Sequence, residues 1–252
     1  MAWHGPDGRQ IYYEDTGRGD TVVLLPGWGG SITDLDRLRR DFASGFRVIA
    51  VDLPGSGRSQ PQPRHYTASY YLDDARALLG LLDALEVEVA HFVGFSDGGE
   101  NALLMAALEP GRALSAVTWG AAGQVVASPD MLDRLAHLVD EPIDALKALA
   151  AYLVEAHGVH NARLMAASWA RALGAIIDAG GDVSRSRAKL ITCPTLLITG
   201  TYDPFCPPGL LRDMADAIPR GEYREAPGAG HDVHLSHHGW LLATVVDWLG
   251  DH

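Results

Sequence analysis

A chain of 252 residues, 47% of them hydrophobic, is long enough to bury a sizeable core, and one α/β domain with insertions is expected at this length. Its 20 basic against 32 acidic side chains leave a net charge of −12, which argues against nucleic acid or an anionic membrane surface as partner and favours solubility. Met1 to Gln10 is polar and turn-rich, and no apolar run approaches the ~20 residues of a membrane span, so the expected location is the cytoplasm.

In chain order, residues 2–14 read as a hairpin around Gly5-Pro6-Asp7-Gly8, supplying an antiparallel edge. Residues 21–25, 46–51, 89–93, 113–119 and 195–199 are near-continuous apolar or β-branched runs suited to central strands. Between and after them, Leu72, Ala75, Leu78, Leu79, Leu82 and Leu85, then Trp240, Leu241, Thr244, Val245 and Trp248, recur at helical spacing as core stripes. This alternation predicts an α/β fold, a mostly parallel sheet with helices on both faces. It breaks over 122–189, where three helical patterns (Leu132, Leu135, Leu138; Leu146, Leu149, Leu153; Leu164, Met165, Trp169, Leu173, Ile176) follow without a strand. We read 122–189 as an inserted helical cap on a core formed by 1–121 and 190–252. The two cysteines, Cys193 and Cys206, flank the 195–199 strand; a rise of ~3.3 Å per residue separates them too far for a disulfide, and neither has metal-ligand spacing.

The chemistry concentrates in Val93-Gly94-Phe95-Ser96-Asp97-Gly98-Gly99, which follows a strand and opens a helix ending at Glu109-Pro110. In such a turn a strained serine lifts its hydroxyl clear of the sheet, and side chains two before and two after would collide with strand and helix; Gly94 and Gly98 remove the collisions. A serine needs a base, and the base an orienting carboxylate. Gly200-Thr201-Tyr202-Asp203-Pro204 puts Asp203 at the carboxyl edge of the sheet, and Gly228-Ala229-Gly230-His231 sets a histidine before the last helix. The expected catalytic residues are therefore Ser96, Asp203 and His231, in the chain order of α/β-hydrolases. Backbone N–H groups should hold the developing oxyanion, that of Asp97 and that of Trp28 in the loop Pro26-Gly27-Trp28-Gly29-Gly30.

Asp97 has two open roles, stabilising a helix terminus or binding a substrate ammonium. Glu100 and Asn101, one turn into a buried helix, call for partners, more readily structural than substrate. Trp28, Trp119, Tyr202 and Phe205 sit on strand-end loops where pockets open and are candidate substrate contacts, with core packing competing at Trp119. Among His231, His234, His237 and His238, the first is needed by the serine and the last two begin a helix without a ligand pattern, so no metal is expected. Cys206 is read as a bystander.

Leu25-Pro26-Gly27-Trp28, Asp52-Leu53-Pro54-Gly55-Ser56-Gly57-Arg58-Ser59, the Ser96 turn, Asp203 and Gly230-His231 together resemble the α/β-hydrolase superfamily over nearly the whole chain. Within it, Ser96-Asp97-Gly98-Gly99, Trp119-Gly120-Ala121 and His231-Asp232-Val233-His234-Leu235 resemble the biphenyl-hydrolase-like, or valacyclovir hydrolase, branch. That resemblance implies Ser96 as nucleophile, His231 as base, Asp203 as orienting acid, and Asp97 as holder of a substrate α-amino group. Pro26 departs from the wider superfamily, where many members carry histidine, with little effect on a main-chain donor. The expected enzyme is a cofactor-independent serine hydrolase of a small-molecule carboxylic ester, possible α-amino acyl esters included, acting through an acyl-enzyme. Thioester, lactone, amide or carbon–carbon cleavage, or a cyclase, is the alternative, and a ligand-sensing protein on the same scaffold is the alternative of another class. Epoxide hydrolase and haloalkane dehalogenase chemistry would need a carboxylate where Ser96 stands.

Overall fold

The computed structural model describes residues 2–5 and 8–252, so Pro6 and Asp7 of the expected hairpin turn lie outside the described residues. Strands β1 (Ala2–His4) and β2 (Ile11–Gly17) form that hairpin, Ala2 opposite Tyr13. β3 (Thr21–Leu25), α1 (Asp36–Phe42), β4 (Arg47–Val51), α2 (Tyr70–Ala84), β5 (Ala90–Phe95), α3 (Asp97–Leu108) and β6 (Ala113–Trp119) follow. After α4 (Pro129–Ala136) and α5 (Lys147–Asp178) come β7 (Thr195–Gly200), α6 (Pro208–Ala217), β8 (Gly221–Ala226), α7 (Val233–Ser236) and α8 (His238–Gly250).

The eight strands form one sheet in the order β1-β2-β4-β3-β5-β6-β7-β8, antiparallel as far as β4 and parallel from there on. Alternating side chains explain why its strands read as unbroken apolar runs: Val22 and Leu24 face α1 and α8, while Val23 and Leu25 belong to the opposite core with α2 and α3. Pairing of Leu25 with Gly94, Phe95 with Trp119 and Trp119 with Ile198 brings the carboxyl ends of the central strands into line.

Strands β5 and β8 depart most from the sequence reading. Val89 is exposed and lies outside β5, which instead continues through Gly94 and Phe95 because Thr118 and Trp119 pair with them. β8 has no counterpart among the apolar runs: Glu222, Tyr223 and Arg224 alternate exposed and half-buried, as an edge strand with one free side allows.

Between Trp119 and Thr195 the described residues hold helices and a single isolated bridge, Gln124 with Asp182. Helix α5 departs from helical geometry at Gly158 (φ 74°, ψ 151°), and its two halves correspond to the second and third helical patterns. It packs over the loops that follow β3 and β4. No helix among the described residues is long and apolar enough to cross a membrane.

Candidate active site

Ser96 occupies the single residue between β5 and α3, at φ 52° and ψ −118°. For a non-glycine residue that conformation costs about 1–3 kcal/mol, so its surroundings must impose it. A Cβ at Gly94 would overlap the Gly98 carbonyl, and one at Gly98 would overlap the Pro26 carbonyl and stand 2.5 Å from that of Leu25. The strand can therefore turn into the helix only with glycine on either side of the serine. Ser96 N–H donates to the Trp119 carbonyl at 2.8 Å, and Glu100 N–H to the Ser96 carbonyl at 3.0 Å.

His231 and Asp203 reach Ser96 from the loops after β8 and β7. Nε2 of His231 lies 3.1 Å from Ser96 Oγ, and its Nδ1 lies 2.8 Å from Asp203 Oδ2. A carboxylate only accepts, so Nδ1 carries the hydrogen and leaves Nε2 to receive the serine proton. Asp203 Oδ1 is held by the backbone N–H groups of Phe205 and Cys206, each at 2.9 Å. The two loops are tied by Tyr202 N–H donating to the Ala229 carbonyl at 2.9 Å.

The Gly27–Gly30 loop runs beside the serine: a Cβ at Gly27 would be 3.4 Å from Ser96 Cβ and 2.9 Å from the Phe95 ring. Neither Trp28 N–H nor Asp97 N–H, the first amide of α3, donates to an acceptor among the described residues. Both are thus free for a negative oxygen at Ser96. The Trp28 indole stacks on Trp169 of α5, with ring centroids 4.0 Å apart and planes inclined by 14°.

The Asp97 carboxylate is held by two tyrosine hydroxyls. Oδ2 accepts from Tyr70 hydroxyl at 2.9 Å and Oδ1 from Tyr71 hydroxyl at 2.8 Å, both from the first turn of α2. Burial pushes the Asp97 carboxyl up to about 6, against the Tyr71 and Tyr70 hydrogen bonds and the positive charge of Arg64. Arg64 is itself committed to Asp74, at 2.6 and 2.8 Å. Tyr66, Tyr70, Trp28 and Trp169 surround this group, with Tyr66 and Tyr70 edge to face at 5.1 Å and Trp169 Nε1 donating to Tyr70 hydroxyl at 2.9 Å. One guanidinium faces two carboxylates here, an imbalance that suits an incoming cation. The α2 stripe begins at Leu72, directly after Tyr70 and Tyr71, and helical spacing gives no sign that their hydroxyls meet Asp97.

Glu100 accepts from Gly123 N–H and Ser184 hydroxyl, both at 2.7 Å, and burial pushes its carboxyl up to about 7. Asn101 is fully buried and its amide has no partner among the described residues, contrary to the expectation of one. Trp119 requires a correction. Its side chain is 0% exposed, beneath Phe95, and donates to His234 Nδ1 at 3.1 Å, so it is core rather than substrate contact. Its contribution to the site is the carbonyl that holds Ser96. Phe205 is 43% exposed with its ring 5.2 Å from that of His231, whereas Tyr202 stands 74% in solvent.

Burial pushes His234 down to about 4, which keeps it a neutral acceptor for Trp119; His238 pairs with Asp41 at 2.8 Å. Asp203, Cys206 and His231 place one potential ligand atom each within 4.8 Å of one another. The carboxylate and imidazole of this trio are hydrogen-bonded to each other, and the Cys206 thiol donates to the Gly120 carbonyl at 3.1 Å while burial pushes its pKa well up.

A mostly parallel sheet with a strained serine at a strand-to-helix turn, and an Asp–His pair arriving from two later strand-end loops, defines a hydrolase of the α/β class. The chain belongs to the alpha/beta hydrolase family, whose model matches residues 22–244. It is 29% identical over 246 residues to the human serine hydrolase BPHL, covering 91% of this chain and 79% of that one. It is 30% identical over 266 residues to the 2-hydroxy-6-oxononadienedioate/2-hydroxy-6-oxononatrienedioate hydrolase of Cupriavidus pinatubonensis, covering 96% and 91%. Among solved structures, the enol-lactonase of Burkholderia xenovorans LB400 superposes with a TM-score of 0.80 at 25% identity, covering 99% of this chain and 100% of that chain.

Proposed function

We propose that this hydrolase cleaves small carboxylic esters through an acyl-enzyme formed on Ser96. The observation that carries the reading is the hydrogen-bonded series Ser96 Oγ, His231, Asp203 at a strained turn. Ser96 Oγ attacks the ester carbonyl carbon as its proton passes to His231 Nε2, and the carbonyl electron pair moves onto oxygen, facing the Trp28 and Asp97 N–H groups. Collapse expels the alcohol, which takes the proton from Nε2. Water, deprotonated by the same nitrogen, then releases the acid and restores Ser96. The 122–189 segment acts as a cap that limits the substrate to a small or medium molecule. The partner is that small molecule alone, with no cofactor or metal in the reaction, and we place the protein in the cytoplasm.

Within the ester class we favour an α-amino acyl ester. The excess of carboxylate over guanidinium beside Ser96 supports it. Lactone or carbon–carbon cleavage is the second reading, favoured by the names of the enol-lactonase and the oxononadienedioate hydrolase. Mass spectrometry after fluorophosphonate treatment should place the label on Ser96, and Ser96→Ala should keep the fold while losing about 10⁴-fold or more of ester turnover. Label elsewhere, or retained turnover, overturns the assignment. A kcat/KM panel of esters, thioesters, lactones, amides and a carbon–carbon substrate separates the two readings.

A further inference from the structure

The loop that presents the Trp28 N–H is held from outside the sheet. Gly27–Gly30 closes on itself through Gly30 N–H and the Gly27 carbonyl at 3.0 Å, with Gly29 at φ 68° in the third position of the turn, which favours glycine. That closure leaves the Gly29 carbonyl outside the turn's own hydrogen bond. Nε2 of His157, a residue of α5 128 positions further along, lies 2.7 Å from it. A carbonyl only accepts, so Nε2 carries the hydrogen, and the imidazole is nine-tenths buried.

The kink in α5 makes this reach possible. His157 immediately precedes Gly158, where φ 74° breaks the helix, although a Cβ there would meet nothing within 4 Å; the glycine serves the backbone rather than space. The first half of α5 brings Leu153 and His157 to the turn, and a Cβ at Gly29 would stand 2.5 Å from Leu153 Cδ2. The second half lays Trp169 on Trp28. Tyr152 adds a third anchor, donating to Asp34 Oδ2 at 2.7 Å, the oxygen that also accepts Ser31 N–H at 2.6 Å.

We propose that His157 is a positioning residue for the oxyanion turn: by holding the Gly29 carbonyl from α5, it orients the neighbouring Trp28 N–H toward Ser96. Docking of α5 and completion of the oxyanion hole are then one event. The proposal rests on Trp28 N–H being an oxyanion donor. Such donors act only within a few tenths of an ångström of the oxyanion distance, so a released turn loses stabilisation of the transition state more than ground-state binding.

The test uses matched oxo- and thionoesters, because a thiocarbonyl sulfur accepts hydrogen bonds poorly. The wild type should prefer the oxoester. His157→Ala should lower oxoester kcat by about 10- to 100-fold with KM within about threefold, and narrow the oxo/thiono ratio. His157→Gln, whose amide N–H reaches the same carbonyl, should recover kcat to within about threefold of wild type. Where alanine lowers the yield of folded protein, His157→Asn, one methylene too short, carries the same comparison. Unchanged kcat, an unchanged oxo/thiono ratio in His157→Ala, or no recovery with glutamine overturns the proposal while the donor reading stands. Absence of any oxo preference in the wild type removes the donor reading and the proposal with it.

Discussion

The hydroxyl of Ser184 donates to the Glu100 carboxylate at 2.7 Å, 84 residues away in the chain, while the same carboxylate receives Gly123 N–H at 2.7 Å. Gly123 and Ser184 lie at the two ends of the helical segment between β6 and β7, and the Gly123 carbonyl accepts from the N–H groups of Val183, Ser184 and Arg185. One buried carboxylate in the first turn of α3 thus joins both ends of that segment to the helix that begins beside Ser96.

Glu100 has its folded pKa raised to about 7 by burial, above the ordinary glutamate value of 4.5. The folded state therefore holds the proton more tightly than the unfolded chain, and stability falls as pH rises from about 4.5 through about 7. Glu100→Gln removes this dependence. Relative to wild type, the variant should gain about 2–3 kcal/mol of unfolding free energy between pH 5 and pH 8. Urea denaturation of both proteins at the two pH values reads the difference, and parallel pH profiles would refute it.

Asp97 pairs with Tyr70 and Tyr71 and sits among aromatic rings, so Asp97→Asn keeps the backbone N–H while removing the charge. Wild type should favour an aminoacyl ester over its des-amino analogue by roughly 5- to 150-fold in kcat/KM, and the variant should lose that preference while sparing the neutral ester. Since burial holds this carboxyl up to about 6, the preference should grow as pH rises through about 6. Equal losses on both esters would leave Asp97 a structural partner of the two tyrosines.

In the proposed reaction Trp28 acts through its main-chain N–H, while its indole stacks on Trp169. Trp28→Phe should keep activity within about tenfold, whereas Gly27→Val, forced against Phe95 and Ser96, should cost about 10²-fold in kcat. Equally severe losses in both variants would point to an essential indole.

Arg64 and Asp74 form a buried bidentate pair beside the Asp97 group, with side chains 10% and 4% exposed. Arg64→Leu strands a carboxylate and should cost about 3–5 kcal/mol at neutral pH, part of it recovered when the carboxyl is protonated. The double variant Arg64→Leu, Asp74→Leu should be more stable than Arg64→Leu alone. Chemical denaturation checks the order, and additive losses would contradict it.

Local requirements made much of this protein legible in its sequence. β3 and β6 have the ends that the apolar and β-branched runs predict, because strands covered on both faces carry few strongly polar and no charged side chains. The Ser96 turn is legible because the only neighbours it tolerates at two before and two after are glycines, and Asp203 and His231 because each stands in a short loop at the sheet edge. What remained hidden depends on contacts between distant segments. β8 has its pairing from β7 and no apolar pattern of its own. Trp119 occupies a strand end like a pocket residue, yet Phe95 and His234 close over it. Tyr70, Tyr71 and His157 acquire their partners only once α2 and α5 are docked over the strand ends. A periodic stripe says which face of a helix is buried, but not which polar groups meet its other residues; that is decided by where the helix lands.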